Sequence, residues 1–360
     1  MNDWFGSVLR LRLFGQSHGA SVGMELAGFP AGFAPDIAAL QCFLDRRRPG
    51  QGAHTTARAE ADVPVFSGGL TEGRTDGQPL RAEILNTDVR PQDYGNQIPR
   101  PSHADYPAYV KYGAIPSGGG VFSGRMTAAL CIAGGLCLQW LEAQGVRIDA
   151  HALQIGTAHD RAFDPLAPEL PDRAGKIAVL RREAEADMLR QIALAREAGD
   201  SVGGSIECAI TGLSAGLGEP LFGGLEGRLS QLLFAIPAVK GVRFGASCAE
   251  QRGSAYNDPF YCDGGAIRTR TNHAGGILGG LSSGMPVLFS VECKPTPSIA
   301  APQESVSLPD GASVRLELRG RHDPCIVPRA VPCVEAAAAI GIMDVLLEDA
   351  HGACSITKRN

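Results

Sequence analysis

Two histidines in this sequence sit where an imidazole could do acid–base work near neutral pH. His103 falls between Pro101 and Pro107 in the run Arg-Pro-Ser-His-Ala-Asp-Tyr, residues 100–106, so the backbone is stiff on both sides of the ring. His18 follows Ser17 at the tip of a glycine-bounded loop, Gly15-Gln16-Ser17-His18-Gly19. Between them in chemistry lies a cradle: Gly118-Gly119-Gly120 follow Ser117, and consecutive glycines let backbone N–H groups close on an anion without interference from Cβ atoms. Ser123, Gly124, Arg125 and Thr127 then open an apolar helix whose N-terminus would face the same loop. Arg46-Arg47-Arg48-Pro49-Gly50 ends an earlier helix, and three guanidinium groups there suit either a phosphate or a solvated helix end. Lys294-Pro295-Thr296-Pro297-Ser298 sets one cation and two hydroxyls on a backbone fixed by prolines, and Gly-Arg-His-Asp-Pro-Cys at 320–325 is a further compact charged turn. Asp344, among Ile342, Met343, Val345 and Leu346, puts a carboxylate on a helix face that otherwise reads as buried, a setting suited to proton transfer.

The elements that must position these groups follow from pattern. Leu9 to Leu13 alternates strictly, and Val22, Met24 and Leu26 alternate again, which predicts two strands joined by the His18 loop. Asp36 caps a helix through Leu44, short strands cover Val63–Ser67 and Leu80–Leu85, and a buried helix runs from Arg125 to Gly145, where Gly134 and Gly135 permit close packing. A polar helix covers about Arg182 to Ala198, and a last helix starts at Pro332 and runs through Leu347. Gly199-Asp200-Ser201-Val202-Gly203-Gly204-Ser205-Ile206-Glu207 echoes Gly19-Ala20-Ser21-Val22-Gly23-Met24-Glu25. The echo marks either a duplicated strand, loop and helix unit or a coincidence in a chain with 46 glycines.

Composition narrows the function. The 360 residues are 44% hydrophobic and carry a net charge of −5, so the overall field favours neither nucleic acid nor an anionic membrane. Ten cysteines show no zinc-like spacing, so no metal is expected and the thiols read as reduced. With no secretory signal and no apolar run judged long enough to span a bilayer, the reading is a cytoplasmic protein of one domain, residues 1–360.

Taken together, Phe14–Gly19, Arg46–Gln51, Arg100–Asp105, Lys111–Gly113, Asn272–Gly284, Lys294–Ser298 and Gly320–Ala330 resemble chorismate synthase from Phe14 to about Glu348. The resemblance implies an α+β fold with a helical layer between antiparallel sheets, and a homotetramer. It implies an anti 1,4-elimination of phosphate from 5-enolpyruvylshikimate 3-phosphate that needs reduced FMN without net redox change; no long insertion that could form a reductase site is seen, so an external reductant is expected. By the same resemblance His18, His103, Asp344 and Ser17 are catalytic, and Arg47, Arg48 and Arg125 face the substrate. Ser123, Pro237, Ala238, Gly279, Lys294, Pro295, Thr296, Pro297, Ser298 and Arg321 would contact FMN. Three departures stand out: the segment Gly120–Thr127 lacks an arginine, a serine and a carboxylate usual there, Ala53 stands in place of an arginine, and Gln16 in place of a glutamate. They leave a second reading, a non-catalytic binder of flavin or a phosphometabolite.

Overall fold

The structure is a computed structural model that describes residues 3–50, 52, 55, 60–87, 97–318 and 323–356, the last six without side chains. The first sheet is built from β1 (Asp3–Phe5), β2 (Arg10–Gly15), β3 (Ser21–Ala27), β4 (Val65–Gly68) and β5 (Leu80–Leu85), in the order β1-β2-β3-β5-β4 with every pair antiparallel. Its register sets Leu11 opposite Leu26, Met24 opposite Ala82 and Val22 opposite Ile84, so one face is wholly apolar and buried. The predicted alternating strands are therefore real, and the His18 loop joins β2 to β3.

The second sheet repeats the plan. It comprises β6 (Arg147–Ile155), β7 (Ala158–His159), β8 (Gly204–Thr211), β9 (Val239–Phe244) and β10 (Val287–Cys293), in the order β9-β10-β8-β6-β7, again antiparallel throughout. The two echoing sequences fall at the central strands, β3 and β8. The correspondence extends further: strand β4 meets β5 with a bulge between Phe66 and Gly68, and β9 meets β10 with a bulge between Val239 and Gly241. Each half also supplies one short and one long helix, α1 (Ile37–Arg47) and α3 (Thr127–Ala143) in the first, α5 (Leu225–Leu233) and α6 (Val327–Ile356) in the second. The sequence echo is thus the trace of a structural repeat. Helices α2 (Asp105–Tyr112) and α4 (Arg182–Glu197) are additions to it.

Helices α3 and α6 pack against each other between the sheets, with buried apolar side chains from Leu9 to Leu347 in one continuous cluster. Contact is close because the crossing carries no bulk: a Cβ on Gly134 would lie 2.3 Å from the Cα of Ala336, and one on Gly135 would lie 2.5 Å from Leu40 of α1. Gly124–Ala143 and Val327–Ala350 are long and apolar enough to cross a membrane, contrary to the expectation that no such run exists, but 72% and 94% of their most apolar windows are buried inside the protein. They are core helices of the sandwich. Helix α6 also starts earlier than Pro332, at Val327, leaving that proline inside the helix. Pro328 occupies the first turn, where a missing N–H costs nothing, and Pro332 follows one turn later.

Candidate active site

A cleft of about 550 Å³ opens at one edge of the sandwich, and Ser17, His18, Arg100, His103, Gly118 and Ser123 all line it. The glycine turn explains why the histidines meet. Gly118, Gly119 and Gly120 have φ of 58°, 83° and 52°, values that L side chains rarely adopt. A Cβ on Gly118 would lie 2.1 Å from Cδ2 of His18, and one on Gly119 would lie 3.3 Å from Cε1 and Nε2 of His103. The bare backbone is thus a spacer with one ring against each of two successive residues. The Ser17 N–H donates to the Gly120 carbonyl at 3.3 Å, tying the β2–β3 loop to the same turn.

His103 is held from behind. Its Nδ1 is 2.6 Å from Oδ1 of Asp105, and Arg100 grips that carboxylate through Nε at 2.7 Å and Nη2 at 2.8 Å. Burial opposes the charge on Asp105, but hydrogen bonds from Arg100 and His103 outweigh it and hold the carboxyl well below the usual range. Arg100 Nη1 also donates to Ser298 Oγ at 3.0 Å, which joins the histidine loop to the 294–298 turn. Lys294 Nζ donates to the Ser102 carbonyl across the same seam. Burial and the charge of Lys240 pull its ammonium below the ordinary value.

The arginines form a buried floor. Arg47 donates from Nη1 to Asp62 at 2.7 Å, from Nε to Thr127 at 3.0 Å and from Nη2 to the Gly124 carbonyl at 3.0 Å. Arg125 pairs with the other oxygen of Asp62 and with Glu60 at 3.1 Å, while its Nε donates to Asn86 at 3.0 Å. Burial works against the Asp62 carboxylate, yet Arg47 and Arg125 hold it below its ordinary pKa; burial depresses Arg125 itself. Arg329 donates to the Arg47 carbonyl at 2.9 Å and pairs with Asp323. Among the described lining residues, five side chains are cationic (Arg47, Arg100, Arg125, Lys294, Arg329) and one, Asp323, is acidic. Asp62, Glu60 and Asp105 behind the wall offset part of that charge, and the face turned to the cleft is cationic.

Of the residues singled out in the sequence, Ser17, His18, His103, Arg47, Arg125, Ser123, Pro237, Ala238, Lys294, Thr296, Pro297 and Ser298 line this one cleft. Asp344 does not. Its carboxylate is buried elsewhere, accepting from the N–H groups of Ser7, Val8 and Leu9 at 2.9, 2.8 and 2.8 Å and facing Arg228 at 3.5 Å. It lies eleven residues beyond Cys333, the last residue of α6 on the cleft wall, which is about 16 Å along a helix. Arg48 also stands apart, beside Asp45 at 3.6 Å on a separate groove. Arg46 turns inward to the buried Glu335 and Arg47 to the cleft, while Arg48 is the C-cap, where φ −55° and ψ 152° take its side chain off the helix. Gly279 occupies the exposed turn of the hairpin Ile277–Leu278 and Leu281–Ser282, and Pro295 faces solvent. Arg321 and Ala53 lie outside the described residues. Asp323, in the charged turn at 320–325 that the sequence already marked, also lines the cleft.

The cleft has the room and the polar groups to hold an anionic organic molecule. Its volume suits a cofactor, its charge an anion, and Thr296 Oγ1 on its wall is buried without a hydrogen-bond partner among the described residues. Fold and site thus define an α+β sandwich with a cation-lined cleft carrying two histidines. A profile described as Chorismate synthase matches residues 9–347. Curated chorismate synthases of Lancefieldella parvula, Methanocella arvoryzae and Korarchaeum cryptofilum are 41%, 43% and 40% identical, over 96%, 95% and 98% of this chain and 96%, 94% and 99% of theirs. A solved structure titled "Crystal Structure of Chorismate Synthase" shares the fold with a TM-score of 0.74 at 23% identity, covering 96% of this chain and 93% of that one. The chain belongs to the chorismate synthase family.

Proposed function

We propose that the protein eliminates phosphate from 5-enolpyruvylshikimate 3-phosphate in the anti 1,4 sense to give chorismate, with reduced FMN bound in the cleft. The observation that carries this is the meeting of His18 and His103 at Gly118 and Gly119, on a cleft with five cationic side chains and the 294–298 turn. Ser123, Pro237, Ala238, Lys294, Thr296, Pro297 and Ser298 would hold the cofactor, which when reduced supplies electron density to the allylic system as the C–O bond breaks. His18, protonated, donates to the departing phosphate, whose charge Arg47 and Arg125 offset. His103 has Nδ1 engaged with Asp105 and its Cε1–Nε2 edge at Gly119, so Nε2 is the atom through which it would hold or move a proton beside the cofactor. Ser17, tied to Gly120, orients the loop that carries His18. Removal of the C6 proton falls to Asp323 rather than Asp344, since Asp323 is the acidic side chain on the cleft among the described residues.

Flavin reduction by a separate protein and assembly as a cytoplasmic homotetramer belong to the same reading. Phe222, fully exposed beside the exposed Leu221, supports an apolar contact between copies. The test is anaerobic: protein, photoreduced FMN and 5-enolpyruvylshikimate 3-phosphate, with phosphate and chorismate both measured. Equal release of the two supports the reading. Tight substrate binding without phosphate release would favour the non-catalytic binder.

A further inference from the structure

Cys333 lines the cleft, and the elimination has no use for its thiol. Its Sγ accepts from Sγ of Cys131 on α3 at 3.8 Å, and its own S–H donates to the carbonyl oxygen of Arg329 at 3.3 Å. The glycine crossing brings them together: Gly134 follows Cys131 by three residues, Ala336 follows Cys333 by three, and Gly134 packs on Ala336. The two sulfurs are not alike. The hydrogen bond from Cys131, the charge of Arg47, the Thr127 hydroxyl and the charge of Arg329 lower the Cys333 thiol against the effect of burial, while burial and the hydrogen bond to Cys333 push Cys131 well above its ordinary value. The sulfur on the cleft wall is the more readily deprotonated of the two, and the Cys131 thiol lies beside it.

We propose that Cys333 and Cys131 form a peroxide-reactive dithiol site, in which a hydroperoxide entering the cleft is reduced and the pair closes to a disulfide. The Cys333 thiolate attacks one oxygen of hydrogen peroxide, the O–O bond breaks, and the departing hydroxide takes a proton to become water. This leaves a sulfenic acid on Cys333. The Cys131 sulfur then attacks that sulfur, the S–S bond forms, the S–O bond breaks, and hydroxide leaves with the Cys131 proton as a second water. The two thiols lose two electrons and two protons, and the peroxide gains both. Closure brings the sulfurs from 3.8 Å to about 2.05 Å, withdrawing Cys333 from the cleft wall and removing an anion from Arg47 and Arg329. The chemistry needs only the cleft and the two sulfurs, so it stands or falls separately from the proposed elimination.

The experiment uses the full chain, a few equivalents of hydrogen peroxide, alkylation of remaining thiols in denaturant, and peptide mapping. A 131–333 cross-linked peptide should dominate the oxidised material and disappear with dithiothreitol. Cys333 should be consumed at least about tenfold faster than the exposed Cys42, Cys248 and Cys262. In Cys131→Ser no such cross-link can form, and Cys333 should instead accumulate as sulfinate. Recovery of Cys131 and Cys333 as alkylated thiols while the exposed cysteines carry the oxidation would overturn the proposal. The wild-type map decides this even if the variant does not fold.

Discussion

Replacing Gly118 by alanine tests the spacing of the two histidines. The new Cβ would lie 2.1 Å from His18 Cδ2 and 2.2 Å from Nε2, and ordinary contact begins at 3.4 Å, so about 1.3 Å of movement is required. The ring is the far end of a side chain, whereas Gly118 is fixed by its neighbours in the 117–122 turn, so the ring gives way. Displacing a catalytic group by about 1 Å costs on the order of 10²-fold in rate. The left-handed φ of 58° adds a strain of about 1–3 kcal/mol, which lowers stability without touching chemistry. Gly113→Ala separates the two effects, because Gly113 has a φ of 78° but nothing within 4 Å of its Cβ position. Anaerobic phosphate release with photoreduced FMN is the assay, with thermal unfolding measured alongside. Gly118→Ala should lose about 10²-fold in kcat, while Gly113→Ala loses comparable stability and keeps kcat within about threefold of the parent. If Gly118→Ala turns over as fast as Gly113→Ala, the histidine spacing argued above is not what catalysis depends on.

Other outcomes follow from the same geometry. Asp344→Asn removes charge from a site that satisfies three N–H groups and faces Arg228, so it should cost about 2–4 kcal/mol in stability while changing kcat little. Asp323→Asn should lower kcat by about 10²-fold or more and also lower Tm, since Arg329 loses its partner, so steady-state kcat, rather than stability, distinguishes the two. Asp160 is held down to about 2, with burial opposing and His151 and the N–H groups of Leu180 and Arg161 prevailing. A folded pKa below the unfolded value gives stability that is present above about pH 4 and lost as pH falls toward 2. Unfolding midpoints between pH 2 and pH 5 should therefore fall less steeply in Asp160→Asn than in the parent.

Much of this site was legible in the sequence, and the misses have physical causes. Motifs placed on loops between alternating strands, such as Ser17-His18, carry their own backbone constraints, so their position could be read locally. Gly134 and Gly135 inside an apolar helix likewise announced a close crossing. Asp344 could not be read that way. Its partners, Ser7 to Leu9, lie more than three hundred residues away, and no local pattern reveals that a turn of backbone needs that carboxylate. The arginine triplet was legible only in part: Arg47 lines the cleft and Arg48 does not, and composition cannot tell which acid each guanidinium will meet, here Glu335, Asp62 and Asp45 for Arg46, Arg47 and Arg48. The Asp62 and Glu60 side chains that anchor the floor stood in no recognised motif.

The most direct test of the account is a crystal structure of the protein with oxidised FMN and 5-enolpyruvylshikimate 3-phosphate, a combination that lacks the electrons for turnover. The account predicts the isoalloxazine against the Lys294–Ser298 turn, the substrate phosphate within hydrogen-bond reach of His18, and Asp323 nearer than Asp344 to C6. Density for either molecule outside the cleft shared by His18 and His103, or a phosphate remote from both rings, would contradict it.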